Sequence, residues 1–385
     1  KVVDKLKEMG IRNVLIDEAH AGYSPEDGSE FMTFMNELKP KKVIGFTATP
    51  CRLKNMSIGQ TSYSQLNFIT RMRPVYFKNL IHVIQVEEMI RQGFWTPLKY
   101  ETWDFNGDAL KLNSNGSEYT AESISEAVRK NGLNNLILRR LMVLKDVCRS
   151  ILVFMDSVES CNTAAEWMNA KICAGMAEVV HGGTPKKQRE AIVEGFKSGK
   201  TKVVFNYSAL GTGFDHPGLD CVIVGRPTFS FSSFYQWLGR AVRIKDGKDS
   251  ALVVDCCNNS SRFGDIRKLS IENYKGYGWG MFIGDKLITN IPMGDKVTKT
   301  DLDIKAAKKD RRRGLAQGVT AAPVPGRPDH PLGSTVMTFG KYCGWMFHSI
   351  PVSYFKFINE TFDWDNDRNK DIKEYIDFLI KNNRL

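Results

Sequence analysis

The chain has 385 residues, 42% hydrophobic and 25% charged, which is the composition of an ordinary globular protein and excludes a disordered or fibrous one. No apolar run is long enough to span a bilayer, and the length leaves room for two or three domains with cores of their own. The formal net charge of +11 suits a polyanionic partner, because phosphate neutralisation supplies most non-specific nucleic-acid affinity.

The chain starts at Lys1 and enters a helix-like pattern at once (Val2, Val3, Leu6, Met9), with no secretory signal. The expectation is a piece of a longer cytoplasmic protein. A strand runs to Asp17, a helical pattern follows from Phe31 to Leu38, and a second strand runs from Lys42 to Phe46. These read as the second half of a βαβ-built domain, with too few strands for a sheet of its own. From Arg71 to Asp104 the chain is aromatic and apolar in short runs, with a short helix at Glu87 to Gln92, and reads as the exit from a first domain at 1–104.

A second α/β unit is expected over 105–263. Its strands are Ile151 to Met155, Glu178 to His181, Lys202 to Tyr207, Cys221 to Val224 and Ala251 to Asp255. Helices are expected at Glu122 to Val147, Cys161 to Lys171, Pro185 to Lys197 and Ser232 to Arg243. Alternation of strand and helix with short loops predicts a parallel, doubly wound sheet. Residues 264–333 form an irregular aromatic extension and then a linker, marked by Arg311-Arg312-Arg313 and by Pro323, Pro325, Pro328 and Pro331. A small α+β module is expected at 334–385, ending in an amphipathic helix from Ile372 to Ile380. The eight cysteines include no C-x-x-C pair, so they read as reduced, mostly buried thiols, and no zinc is expected.

Val14-Leu15-Ile16-Asp17-Glu18-Ala19-His20 places two carboxylates at the carboxyl end of a buried strand, which is where open α/β sheets bind ligands. Phosphoryl transfer asks for a metal held by a carboxylate, a group that orients the attacking water, and cations for the phosphoryl oxygens. Asp17 suits the first role, as a Mg²⁺ ligand, and Glu18 the second. Arg240 and Arg243, three apart on an expected helix, can supply the cations. Taken alone, the acidic pair would read as the start of a solvated turn and the arginines as a solvated stripe. Thr47 and Thr49 close the second strand with their hydroxyls on one side. In Gly211-Thr212-Gly213-Phe214-Asp215 the glycines admit close approach of a phosphate or ribose, and Asp215 can accept hydrogen bonds from a ribose or from the arginine helix. Gly199-Lys200-Thr201 imitates the end of a phosphate-binding loop, but its first glycine is misplaced and it leads from helix into strand, the reverse of a P-loop.

Taken in order, Val14 to His20, Thr47-Ala48-Thr49-Pro50 and Gln236-Trp237-Leu238-Gly239-Arg240-Ala241-Val242-Arg243 resemble the DEAH-type box, motif III and motif VI of superfamily 2 helicases. Gly211 to Asp215 fits motif V. The resemblance covers roughly residues 11–263 and lies nearest the RadD-like and phage-type helicases related to the XPB and UvsW groups, on Gly45 to Arg52, Gly93 to Pro97, Ile151 to Phe154 and Asn206 to Asp215. It implies a partial first RecA-like motor domain, a complete second one, and ATP with Mg²⁺ between them. It implies catalytic roles for Glu18, Gln236, Arg240 and Arg243, and nucleotide contacts from Asp17, Gly213 and Asp215. Coupling falls to His20, Thr47 and Thr49, and nucleic-acid contacts to Arg52, His181, Asn206 and Thr212. Asn206 stands where many helicases carry threonine.

The implied activity is ATP-driven movement on DNA, in preference to RNA, during repair, recombination or replication. No membrane partner is implied. RadD's cysteine-rich zinc region is missing, and so is a phosphate-binding loop, which either lies upstream or is lost. The tail from Met337 to Gly344, with Ile350-Pro351 and Tyr354-Phe355, resembles a module described as a quorum-sensing-regulated virulence factor, and is a place for a protein partner. Its Phe339, Tyr342, Trp345 and Phe347 read either as base-stacking groups or as the core of a tiny domain. Two alternatives to the motor stand open: a non-hydrolysing nucleic-acid-binding relic, and the motor subunit of a restriction-type enzyme.

Overall fold

The computed structural model describes residues 2–22, 29–58, 61–73, 75–210, 214–275, 277–306, 332, 335, 337, 346–347, 350, 352–361 and 370–382. The chain divides into two compact units, Lys1–Lys299 and Thr300–Leu385. No helix among the described residues is long and apolar enough to cross a membrane.

The first unit opens with α1 (Val2–Glu8), β1 (Asn13–Ile16), α2 (Ala19–Gly22), α3 (Glu30–Leu38) and β2 (Lys42–Gly45). Ser29 starts α3 by accepting the Met32 N–H on its hydroxyl, and left-handed Lys39 ends it. β1 and β2 pair in parallel from Asn13↔Lys42 to Ile16↔Gly45. β3 (Cys51–Ile58) and β4 (Thr61–Phe68) then form an antiparallel hairpin in a stretch where the sequence suggests no element.

After α4 (Val86–Arg91) comes β5 (Leu98–Thr102). β5, which falls within the segment 1–104, is an edge strand of the larger sheet, paired in parallel with a strand near residue 253. The elements that follow are α5 (Ala121–Lys130), α6 (Leu133–Val147), β6 (Ile151–Phe154), α7 (Val158–Lys171), β7 (Ala177–His181), α8 (Lys186–Ser198), β8 (Val203–Tyr207), β9 (Cys221–Val224), α9 (Phe231–Gly239), β10 (Ala251–Asp255) and α10 (Asn259–Phe263). The single helix expected over Glu122 to Val147 is two, broken where Gly132 takes φ +59.

The strands form one six-stranded parallel sheet in the order β5-β10-β9-β6-β8-β7. Parallel strands covered on both faces read as continuous apolar runs, as Ile151-Leu152-Val153-Phe154 and Cys221-Val222-Ile223-Val224 do, and all eight residues are buried. Alternation then splits them between two cores. Leu152, Phe154, Val222 and Val224 join one cluster, and Ile151, Val153, Cys221 and Ile223 the other.

The expected irregular extension contains a four-stranded antiparallel sheet, β11 (Leu269–Tyr274), β12 (Gly278–Ile283), β13 (Lys286–Leu287) and β14 (Val297–Thr298). In the second unit, α11 (Val352–Thr361) and α12 (Lys370–Lys381) surround a core that includes Met337, Phe347, Phe355, Tyr375 and Leu379. Phe347, 1% exposed, is a core residue and not a stacking platform. Phe339, Tyr342, Trp345 and the linker at 307–331 lie outside the described residues.

Asp255, fully buried at the end of β10, starts α10. Its carboxylate accepts from Ser260 N–H (2.6 Å), Ser260 Oγ (2.7 Å), Asn259 Nδ2 (3.1 Å) and Cys257 N–H (3.3 Å). Asp255→Ala orphans these buried donors and is expected to lower stability by about 2 kcal/mol, measured by urea unfolding.

Candidate active site

The acidic pair sits at the carboxyl end of β1. Glu18 takes φ +46, unusual for a residue with a Cβ, and its N–H donates to Asp17 Oδ1 at 2.9 Å. Backbone bonds tie this turn to the end of β2: Phe46 N–H donates to Ile16 C=O (2.8 Å) and Ala19 N–H to Phe46 C=O (2.9 Å). The approach is close enough to require glycine at 45, since a Cβ there would stand 2.6 Å from Ala19 Cβ.

His20 Nδ1 lies 2.7 Å from Thr47 Oγ1 and 3.3 Å from Glu18 Oε2. Burial and the nearby Arg52 charge lower the imidazole pKa, so at neutral pH the ring is uncharged. The Glu18 contact is therefore no ion pair, and the Thr47 hydroxyl orients the ring. Thr47 Oγ1 also accepts Thr49 N–H at 3.1 Å. Thr49 is 1% exposed and its own hydroxyl has no hydrogen-bond partner among the described residues.

The opposing charge comes from the end of α9. Burial and Asp17 raise the Glu18 pKa, while Arg240 lowers it. Burial and then Arg243 lower the Arg240 pKa, while Glu18 and Asp215 raise it. Arg240 Nη1 donates to Phe214 C=O at 2.6 Å. Arg243 Nε lies 3.2 Å from Asp215 Oδ1, but both side chains are about 60% exposed, so that pair contributes little stability.

The helix expected to carry both arginines stops at Gly239. Its next carbonyls are taken by tertiary donors. Lys248 Nζ donates to Ala241 C=O (2.7 Å), Arg243 C=O (2.7 Å) and Pro217 C=O (3.2 Å). Thr96 adds its N–H to Val242 C=O and its hydroxyl to Arg243 C=O, each at 2.8 Å. The arginines therefore part, Arg240 to the Phe214 carbonyl and Arg243 to the Asp215 carboxylate. Gly213 and Thr212 lie outside the described residues.

Gln236 and Asn206 belong to a different place, an open cavity of about 330 Å³ over the carboxyl ends of β6, β8 and β9. Asn206 is 1% exposed, and its Oδ1 accepts Ala209 N–H (3.2 Å) and Leu210 N–H (2.8 Å). Its amide therefore holds the turn that leads toward Asp215. Glu118, Ser208 and Arg226 also line the cavity, and sequence patterns single out none of them. The left-handed Ser208 (φ +53) is a feature only the backbone reveals. His181 ends edge strand β7, accepts Gly183 N–H on Nδ1 at 3.1 Å, and lines another cavity, of about 290 Å³. Asp17, Glu18, His20, Thr47, Thr49, Arg52, Asp215, Arg240 and Arg243 are linked by these contacts and charges, while Gln236 with Asn206 lines one cavity and His181 another.

Residues 133–245, from α6 to the segment beyond α9, match the family model of the helicase conserved C-terminal domain. That segment carries β6 to β9, so the six-stranded sheet is of the RecA-like kind found in helicase C-terminal domains. The chain is 25% identical over 252 residues to the candidate ATP-dependent helicase IRC3 of Saccharomyces cerevisiae, covering 64% of this chain and 34% of that protein. It is 26% identical over 213 residues to a 51.5 kDa protein of a Lactococcus phage, covering 55% of this chain and 42% of that one. Among solved structures, a fragment named for the HsdR subunit of a type I restriction enzyme from Vibrio vulnificus YJ016 is 20% identical with a TM-score of 0.49, covering 68% of this chain and 47% of that one. The chain spans less than half the length of either curated relative.

Lys248, 8% exposed and pushed by burial down to about 8, clamps the arginine segment. Lys248→Met removes the donor from three carbonyls, and is expected to lower stability by about 2 kcal/mol in urea unfolding.

Proposed function

We propose that these residues are part of an ATP-dependent motor of superfamily 2 that moves on nucleic acid, DNA in preference to RNA, in repair, recombination or replication. The observation that supports the reading is the acidic turn Asp17-Glu18 at the end of β1, tied through His20 to Thr47, with the Arg240 charge acting on Glu18 from the end of α9. A carboxylate pair opposed by a guanidinium is what hydrolysis of a polyphosphate needs.

The donor set fits a hard divalent cation with a nucleotide. Asp17 and Glu18 are adjacent carboxylates whose proximity under partial burial raises the Glu18 pKa, and a Mg²⁺ ion would relieve that. Asp17 is the residue to hold it. Bound ATP and Mg²⁺ supply the phosphoryl group and the neutralisation of its charge. Glu18 orients the attacking water and receives its proton, and Arg240 stabilises the charge on the γ-phosphoryl oxygens. Arg243 pairs with Asp215, whose exposed carboxylate would be free to accept a hydrogen bond from the nucleotide's ribose. His20, neutral and fixed on Thr47, carries the state of the acidic turn to the Thr47-Ala48-Thr49 segment, and through it to Arg52 at the start of the hairpin.

In the full-length protein, Glu18→Gln is expected to retain ATP binding and to cut DNA-stimulated turnover by at least about a hundredfold, as loss of a general base does. Near-normal turnover removes Glu18 from the mechanism. Arg240→Ala is expected to lower kcat with little change in KM, and retained DNA-stimulated turnover counts against its role. Assays on single-stranded, duplex and forked DNA and on RNA set the substrate preference. A wild-type protein that binds nucleic acid and never turns over ATP is the non-hydrolysing relic, not the motor.

A further inference from the structure

The β3–β4 hairpin has two unlike faces. Its register pairs Cys51 with Phe68 and Leu53 with Leu66, and these side chains enter or abut the apolar core. The alternate pairs, Arg52 with Asn67, Lys54 with Gln65 and Met56 with Tyr63, stand on the opposite face. That face begins beside the acidic turn, where the Arg52 charge acts on His20. Beyond Arg52 it borders an open cavity of about 540 Å³, whose lining includes Lys54, Gln65, Asn67, Arg71, Arg73 and Tyr277. Three of the lining side chains are cations and none is a carboxylate.

One of the cations is braced. The Arg71 guanidinium lies 4.1 Å from the centroid of the Tyr277 ring. Gly278, at φ +90, leaves it room, since a Cβ there would come within 2.8 Å of Arg71 Nη2. The ring is pinned in turn: Tyr277 OH donates to Thr289 C=O (2.8 Å) and accepts from Asn290 Nδ2 (3.3 Å), while Asn290 Oδ1 accepts Phe68 N–H (3.0 Å) from the hairpin. Gln65 Nε2 donates to Asn67 Oδ1. Gln65 Oε1 and Asn67 Nδ2 have no bond to another described residue, which leaves one acceptor and one donor group facing the cavity from the hairpin.

A fixed guanidinium plane, an amide donor and acceptor, and two exposed cations match the parts of a nucleotide. A base stacks on a guanidinium plane and bonds amides by its edge, and phosphates take the lysine and arginine. We propose that this cavity holds a nucleotide of a single nucleic-acid strand, with its base on Arg71 and its flanking phosphates on Lys54 and Arg73. The site lies outside the motor motifs and outside the matched helicase segment at 133–245. It extends the nucleic-acid track from Arg52 along the hairpin. The proposal rests on nucleic acid being the partner and is independent of ATP turnover.

The test uses the full-length protein and fluorescence anisotropy of a labelled 20-nucleotide DNA strand. Lys54 and Arg73 are exposed, so Lys54→Ala with Arg73→Ala leaves folding intact. The double variant is expected to weaken binding about tenfold at 0.15 M salt, and to reduce the slope of log K against log salt by about 1.4, for two lost phosphate contacts. Unchanged affinity and slope overturn the proposal. Arg71→Lys keeps the charge and loses the plane. It is expected to weaken binding of the normal strand about threefold and that of an abasic strand of equal length not at all. Equal effects on both strands overturn the stacking assignment. Labelled nucleoside monophosphate forms a third arm: if the double variant loses that ligand while strand affinity holds, the cavity serves a free nucleotide and the strand proposal fails. An inactive wild type with intact strand binding would sink the motor and leave the cavity standing.

Discussion

Glu18 is a carboxylate that burial makes reluctant to ionise, and Arg240 is a guanidinium that burial makes reluctant to keep its proton. Each favours the charged form of the other. Much of the surrounding structure holds those two groups in place. β1 and β2 lock the acidic turn through Ile16 and Phe46, Gly45 lets Ala19 press against the neighbouring strand, and Lys248 with Thr96 holds the segment that carries Arg240. Neither side chain would be so placed by its own element. Glu18 needs a left-handed backbone, and Arg240 stands just past the last turn of a helix.

The central strands were legible because burial on both faces leaves only one kind of sequence. Cys221 to Val224 and Ala251 to Asp255 lie where the apolar runs place them. The end of α9 was not legible, because the acceptors that would have continued the helix are claimed by Lys248 and Thr96, residues distant or unremarkable in the local pattern. The sheet of β11 to β14 escaped for a related reason. Its members are two to six residues long, set among glycines such as Gly284 at φ +62, and short antiparallel strands show themselves only when paired.

The acidic turn and the threonines stand just past strands that the sequence marks, at the ends of β1 and β2. Gln236 and Asn206 show the limit of that reasoning. Both lie near motif positions, yet they line a cavity over the sheet's carboxyl edge, and Asn206 spends its oxygen on two backbone amides. Arg226 shares that cavity, 5.8 Å from the rings of both Tyr207 and Trp237, and no local pattern distinguishes it from a surface arginine. Proximity in the fold, and not spacing in the chain, assigns such residues.

β5 has a consequence for how the molecule can be divided. It is the outermost strand of a sheet whose other five members all follow residue 150, and its register with β10 runs unbroken from Leu98 to Thr102. Ahead of it, the Gln85 side chain stitches the approach to β11, donating to Ile271 C=O (2.8 Å) and accepting Ile271 N–H (3.0 Å). A fragment cut at the compositional boundary near residue 104 would strip β10 of that partner and expose a row of unsatisfied amides and carbonyls. Such an edge is a template for strand addition from another copy, so the fragment would trade a covalently supplied strand for self-association.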